Sequence, residues 1–237
     1  FGAIVYLSIY MQVVRGATPT AAGLQLLPLM IGLLVTSVLS GRMITRTGKY
    51  KIYPIIGTGL ATVGLFMLST VNQDTSLWFL SLAMLILGAG LGNVMQVLII
   101  AVQNNVDARQ LGAATSTSTF FRSIGGSFGT AVFGAVWTAQ LAAQLALELP
   151  GMSTTGQNGG KLTSSIDNIT SLPPDVQDHV LTAMSHAIDN TFLFAVPFMA
   201  FAFLLSFFLK EVPLRKRQDL AHELADDAAV PMGIPIE

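Results

Sequence analysis

The sequence predicts an all-α integral membrane protein. Charged residues are only 11% of the 237 residues, while hydrophobic residues are 52%. The mean hydropathy is +0.63. The few charges gather in narrow islands between apolar runs long enough to cross a bilayer. Soluble domains carry about 25% charged residues, so this chain lacks the polar surface to coat a globule of its size. That excludes an ordinary soluble enzyme and an intrinsically disordered chain. A net charge of -1 points to no nucleic acid. The absence of cysteine excludes a disulfide scaffold, a thiol nucleophile and a cysteine-bound metal.

The expected elements follow in order. Residues 1–14 are apolar but would make a helix only about 21 Å long. They read as a helix whose first turns are missing, so the sequence is expected to be a fragment of a longer protein. Full spans are expected at 19–40, 52–71, 77–102, 111–137 and 191–209. Each approaches the roughly 20 residues that cross about 30 Å of hydrocarbon as a helix. Barrel strands would alternate polar and apolar residues, and these runs do not. Residues 138–190 are expected to form an external loop. Pro173-Pro174-Asp175 opens a helical lead-in over 176–188. Residues 210–237 are expected to be a cytoplasmic tail, leaving 1–209 as the membrane half-domain.

Orientation comes from Lys and Arg. If the helices alternate, Arg42, Arg46, Lys49, Lys51, Arg109, Lys210, Arg215, Lys216 and Arg217 share one side, and only Arg15 and Lys161 take the other. The richer side is expected to be cytoplasmic.

Several segments can carry function. Leu87-Gly88-Ala89-Gly90-Leu91-Gly92-Asn93 looks like a nucleotide-binding glycine loop, but it lies inside an apolar helix rather than after a strand. Gly88 and Gly92 instead form a small-xxx-small packing face. Asn93 and Gln96, farther along, are candidates for a bond to a neighbouring helix or to substrate. In the 111–137 run, Thr115, Ser118, Gly125, Gly126 and Gly129 share a half of the helix with Arg122 at 100° per residue. Phe120, Ile124, Phe128 and Ala131 lie opposite. A central arginine costs at least about 2.5–3.5 kcal/mol to insert. Arg122 therefore reads either as a structural residue bonded to carbonyls or as part of a substrate or coupling site with Ser118. Gly125, Gly126 and Gly129 read as a packing face beside it. Asp74, Asp107 and Asp189 are all placed at span ends or in loops, which leaves no carboxylate in mid-membrane. The histidines, His179, His186 and His222, also fall outside the membrane core. Without an intramembrane His, Asp or Glu as base, an intramembrane enzyme is disfavoured. No pattern suits a cofactor or a metal.

Gly41-Arg42-Met43-Ile44-Thr45-Arg46-Thr47-Gly48-Lys49 is a short basic turn, with Gly48 suited to a left-handed position. It resembles the G-x-x-x-D-R-x-G-R loop of the major facilitator superfamily. The Gly90-Leu91-Gly92 helix, Leu111-Gly112-Ala113-Ala114 and Phe121-Arg122-Ser123-Ile124-Gly125-Gly126 are similar to the late helices of fourteen-span drug/proton antiporters of the EmrB/QacA type. Tyr6 to Gln12 and Pro213-Leu214-Arg215 resemble the start and end of the same half. The resemblance implies the six-helix C-terminal half of a major facilitator fold with its first helix truncated. It implies a plasma-membrane multidrug exporter driven by proton antiport through alternating access, with small hydrophobic or cationic substrates. Gly41, Arg42, Arg46, Gly48 and Lys49 would be its gating-loop motif, and the missing N-terminal half its partner. Thr45 stands at the motif's acidic position, so no carboxylate latch carries over. The family's proton-binding acid belongs to the other half. The membrane domain of an ATP-driven transporter, or another multispan permease, is the alternative; the short loops at 42–51 and 103–110 offer little to an ATPase.

Overall fold

The structure, a computed structural model, describes residues 2–72, 75–148 and 173–209. The middle of the expected external loop, Lys161 and the tail from Lys210 onward lie outside the described residues. Among the described residues every regular element is helical.

Helix α1 (Gly2–Ile9) runs into a π-helical turn, Tyr10–Val14. Gly16 then reverses the chain at φ 63°. Thr18 caps the next helix by accepting the Ala21 N–H at 3.3 Å, with Pro19 in the first turn. The expected 19–40 span is broken: α2 (Pro19–Gln25) gives way to α3 (Leu27–Thr47) at Leu26. Pro28, which has no N–H to donate, sits in the first turn of α3 and accounts for the break. Helix α3 ends at Gly48, at φ 71°, whose N–H is donated to Ile44 O at 2.8 Å.

Helix α4 (Ile52–Leu68) is 17 residues long, and α5 (Leu77–Asn104) has 28. A 3₁₀ turn at Ala108–Gln110 leads into α6 (Leu111–Glu148), whose 38 residues give about 57 Å of helix. Helix α6 thus runs past residue 137, where its span was expected to end. The last helix, α7, is continuous from Pro174 to Ser206 and carries Pro197 inside it. The lead-in expected at 176–188 and the span expected at 191–209 are therefore one helix. Polar residues marked the first part as loop, but its apolar stripe of Val180, Ala183, Met184 and Ala187 packs on Leu141 and Leu145 of α6. Pro19–Thr47, Leu77–Asn104, Leu111–Glu148 and Val176–Ser206 are long and apolar enough to cross a membrane. Gly2–Val14 and Ile52–Leu68 are apolar but shorter.

Helix α5 is the centre of one close-packed unit. It packs broadly on α3 and α4 and meets α6 at only a few points. Toward α3, a Cβ at Gly88 would strike the Leu29 backbone, and one at Gly92 would strike Leu33 O. Toward α4, a Cβ at Gly57 would lie 2.8 Å from Gly90 O, and one at Gly64 would lie 2.7 Å from Leu87 N. Apolar burial does little to join helices in lipid, so close backbone approach supplies the packing energy. Helix α7 packs against α4 and α6. The principal core joins Tyr6, Tyr10, Leu68, Val71, Met84 and Phe192 from six different segments.

Candidate functional site

The polar half of α6 is the face least explained by packing. Arg122 is exposed and makes no hydrogen bond or ion pair with another described residue. Gly126 and Gly129, four and seven residues on, lie on its side of the helix. That side opens onto a cavity of about 270 Å³, lined by Gly125, Gly126 and Gly129 of α6. Leu87 of α5 and Phe198 and Met199 of α7 close it. Thr130, also on its wall, donates its hydroxyl to Gly126 O at 2.8 Å, so it presents mainly its methyl group. The cavity is therefore apolar, and Arg122 stands one helical turn before Gly126 on its floor.

Gly125 and Gly129, expected as packing sites, have no packing neighbour among the described residues. A Cβ at Gly125 or Gly129 would meet nothing within 4 Å. Helices α5 and α6 touch at only a few points, one of them near their shared turn, where Gln103 Nε2 donates to Thr115 Oγ1 at 3.3 Å. So sparse a contact leaves the glycine face bare among the described residues. Phe120 and Phe121, beside Arg122, are 60% and 66% exposed, so this stretch of α6 is open on both sides.

The other candidates do not converge on Arg122. Asn93 Nδ2 donates to Ala89 O of its own helix at 3.1 Å, and its Cβ faces Gly57 of α4. Gln96 lies on the α3 side, with Cγ 3.7 Å from a Cβ position at Gly41. Ser118 is only partly buried. In the basic turn, Arg42, Arg46 and Lys49 are all exposed. The Thr45 hydroxyl is satisfied by its own helix, at 2.8 Å from Arg42 O and 3.1 Å from Gly41 O.

Two features escaped the sequence reading. Thr36 Oγ1 lies 2.8 Å from Gly32 O and 2.9 Å from Ala89 O, tying α3 to α5. Asp189, expected at a span end, lies inside α7 with Oδ1 shut off from solvent and without a hydrogen-bond partner among the described residues. A sign of the first was available in the spacing of Thr36 from Gly32. The second was hidden by placing the span boundary at 191.

The sequence profile of the Major Facilitator Superfamily matches residues 1–130, more than half of the chain. The chain belongs to the Major Facilitator Superfamily. It is 39% identical over 230 residues to an uncharacterized MFS-type transporter of Mycobacterium tuberculosis, covering 97% of this chain and 33% of that protein. It is 29% identical over 262 residues to the multidrug transporter protein MdtP of Bacillus subtilis, covering 99% of this chain and 48% of the relative. A tetracycline resistance determinant of Streptomyces rimosus is 28% identical over 235 residues, covering 90% of this chain and 68% of its own length. The chain thus spans about a third of the mycobacterial relative and about half of MdtP. As a member of this superfamily it belongs to a multi-pass membrane protein.

Proposed function

We propose that this chain is the C-terminal half of a fourteen-span drug/proton antiporter of the EmrB/QacA type. On this reading it lies in the plasma membrane, with the 42–51 turn and the C-terminal tail in the cytoplasm. It exports small hydrophobic or cationic molecules by rocking against an N-terminal half. The observation that carries the reading is Arg122. A guanidinium eleven residues into an apolar helix needs several acceptors, and lipid offers none. Its five donors in a fixed plane suit a carboxylate or a set of carbonyls. The face that bears it therefore belongs toward the other half or a water-filled passage. The glycine floor next to it leaves room for an apolar guest. The glycine-packed α3–α4–α5 unit supplies a stiff body to rock.

The test is export of a lipophilic cationic dye by cells making the full-length protein. Export should stop when a protonophore collapses the proton gradient and continue when ATP alone is depleted. Export that follows ATP and ignores the protonophore would overturn the antiport reading.

A further inference from the structure

Four serine or threonine side chains among the described residues are buried: Ser40, Thr58, Ser185 and Thr191. Three of them are donated to their own helix: Ser40 to Ser37 O at 3.1 Å, Thr58 to Pro54 O at 2.7 Å and Thr191 to Ala187 O at 2.7 Å. Ser185, only 2% exposed, is not, and its Oγ has no partner among the described residues. Four residues on along α7, Asp189 Oδ1 is likewise buried without a partner among the described residues. Positions four apart in a helix lie on the same face, with Cβ atoms about 5–6 Å apart. Two buried unpartnered oxygens on one helix face are costly, and the cost is far greater if the carboxylate stays charged.

The groups around them do not neutralise the carboxylate. Helix α7 packs against α4, α6 and the π-helical turn. Tyr53 is the only titratable group of α4, and it packs at the other end of the bundle beside Ile44, Tyr50 and Val97. On α6 the charged residues are Arg122 and Glu148, and Glu148 Oε2 is 2.9 Å from His179 Nδ1. The π turn contributes Tyr10, whose hydroxyl is donated to Asn72 O at 2.8 Å, and ends at Arg15. Asp178, His179 and His186 share α7 with Asp189, and His186 is exposed. Asp189 forms an ion pair with none of these. Two oxygens are also too few for a hard metal cation, which gathers six or more.

We propose that Asp189 and Ser185 form a proton-binding site at the end of the bundle that carries the α4–α5 turn. Resting on the antiporter reading, we take this proton to be one that the transport cycle moves. Ile188, next to Asp189, shares a core with Leu68 and Val71 at that turn, which is the external side on that reading. A proton from external water converts the carboxylate to the acid. Small side-chain rotations then let the acid O–H be donated to Ser185 Oγ. The serine hydroxyl in turn is donated to the Leu181 carbonyl, as Thr191 does to Ala187. When this half rocks to face the cytoplasm, the acid gives its proton to water on that side, so one proton crosses per cycle. The site lies in this half of the molecule, apart from the Arg122 face.

The full-length protein in proteoliposomes provides the test, with Asp189→Asn, Asp189→Glu and Ser185→Ala. Asp189→Asn should keep exchange of labelled for unlabelled substrate at equal pH. Its accumulation driven by a pH gradient should fall at least about tenfold. Asp189→Glu should restore part of that accumulation, and Ser185→Ala should shift the pH at which it is half-maximal. Gradient-driven accumulation unchanged in Asp189→Asn overturns the proposal. Infrared difference spectra between acid and alkaline pH give a readout that needs no transport. A carboxylic C=O band present in the wild type and absent from Asp189→Asn supports the site, and a band that persists in the variant removes it. If the wild type moves no substrate, the antiporter reading fails by itself while the infrared band still decides the site.

Discussion

Helices α5 and α6 carry the same motif and put it to opposite use. Gly88 and Gly92 on α5 are spaced four apart, as are Gly125 and Gly129 on α6. On α5 both glycines are buried, and a Cβ on either would collide with α3 backbone. On α6 a Cβ at either position would enter open space. Spacing shows where two helices can approach, and only the partner decides whether they do. Helix α5 has neighbours with matching small residues, Gly32 on α3 and Gly57 and Gly64 on α4. Helix α6 meets bulkier side chains across the gap, Leu87, Phe198 and Met199, and a cavity remains.

The largest effect should come from adding one methyl group to each face. Gly88→Ala places a Cβ against the Leu29 main chain, which has no rotamer by which to yield. Overpacking of that kind costs about 1–3 kcal/mol, and this site belongs at the upper end. Gly125→Ala should cost close to nothing. Thermal unfolding in detergent, followed by size-exclusion chromatography of the survivors, measures both. Equal losses would mean that in the full-length protein another element covers the α6 face as tightly as α3 covers α5.

The next effect concerns activity rather than folding. Arg122→Ala should cut export by about tenfold or more while insertion and thermal stability stay near wild type. Arg122→Lys should recover only part, because an ammonium cannot reproduce the planar fork. Normal dye export by Arg122→Ala would show the α6 face to be idle as well as bare.

Much of this contrast was legible in the residues, and the parts that were not have identifiable causes. The apolar runs and charge islands mark the helical core because hydrocarbon tolerates little else. Gly48 announces its left-handed turn because the chain must reverse between two helices there. Pro28 marked the break at Leu26, but it was lost in a run read by hydropathy alone. Asp189 was missed for the same reason. Polar residues from 175 to 190 resemble a loop, and only pairing with Leu141 and Leu145 makes them helix. Gly125 and Gly129 defeat sequence reasoning more deeply, since their spacing matches that of Gly88 and Gly92 and the difference lies wholly in the neighbours.

The smallest effect separates steric fit from hydrogen bonding within the α3–α5 contact. Thr36 Oγ1 has one hydrogen and three acceptors in reach, Gly32 O and, at 3.5 Å, Leu33 O on its own helix and Ala89 O on α5. The same oxygen is a nearest neighbour of a Cβ position at Gly92, so glycine there leaves room for the hydroxyl. Thr36→Val replaces the hydroxyl by a methyl and removes the cross-helix bond. Interhelical hydrogen bonds in membrane proteins average only about 0.6 kcal/mol, because the separated helix still finds a partner for the hydroxyl. Here that partner is Gly32 O, so the loss should stay near that average. Thr36→Ser keeps the hydroxyl and should unfold close to wild type. A loss from Thr36→Val as large as that from Gly88→Ala would show that this site, too, is governed by space and not by the bond. A matching loss from Thr36→Ser would assign the contact to the threonine methyl group.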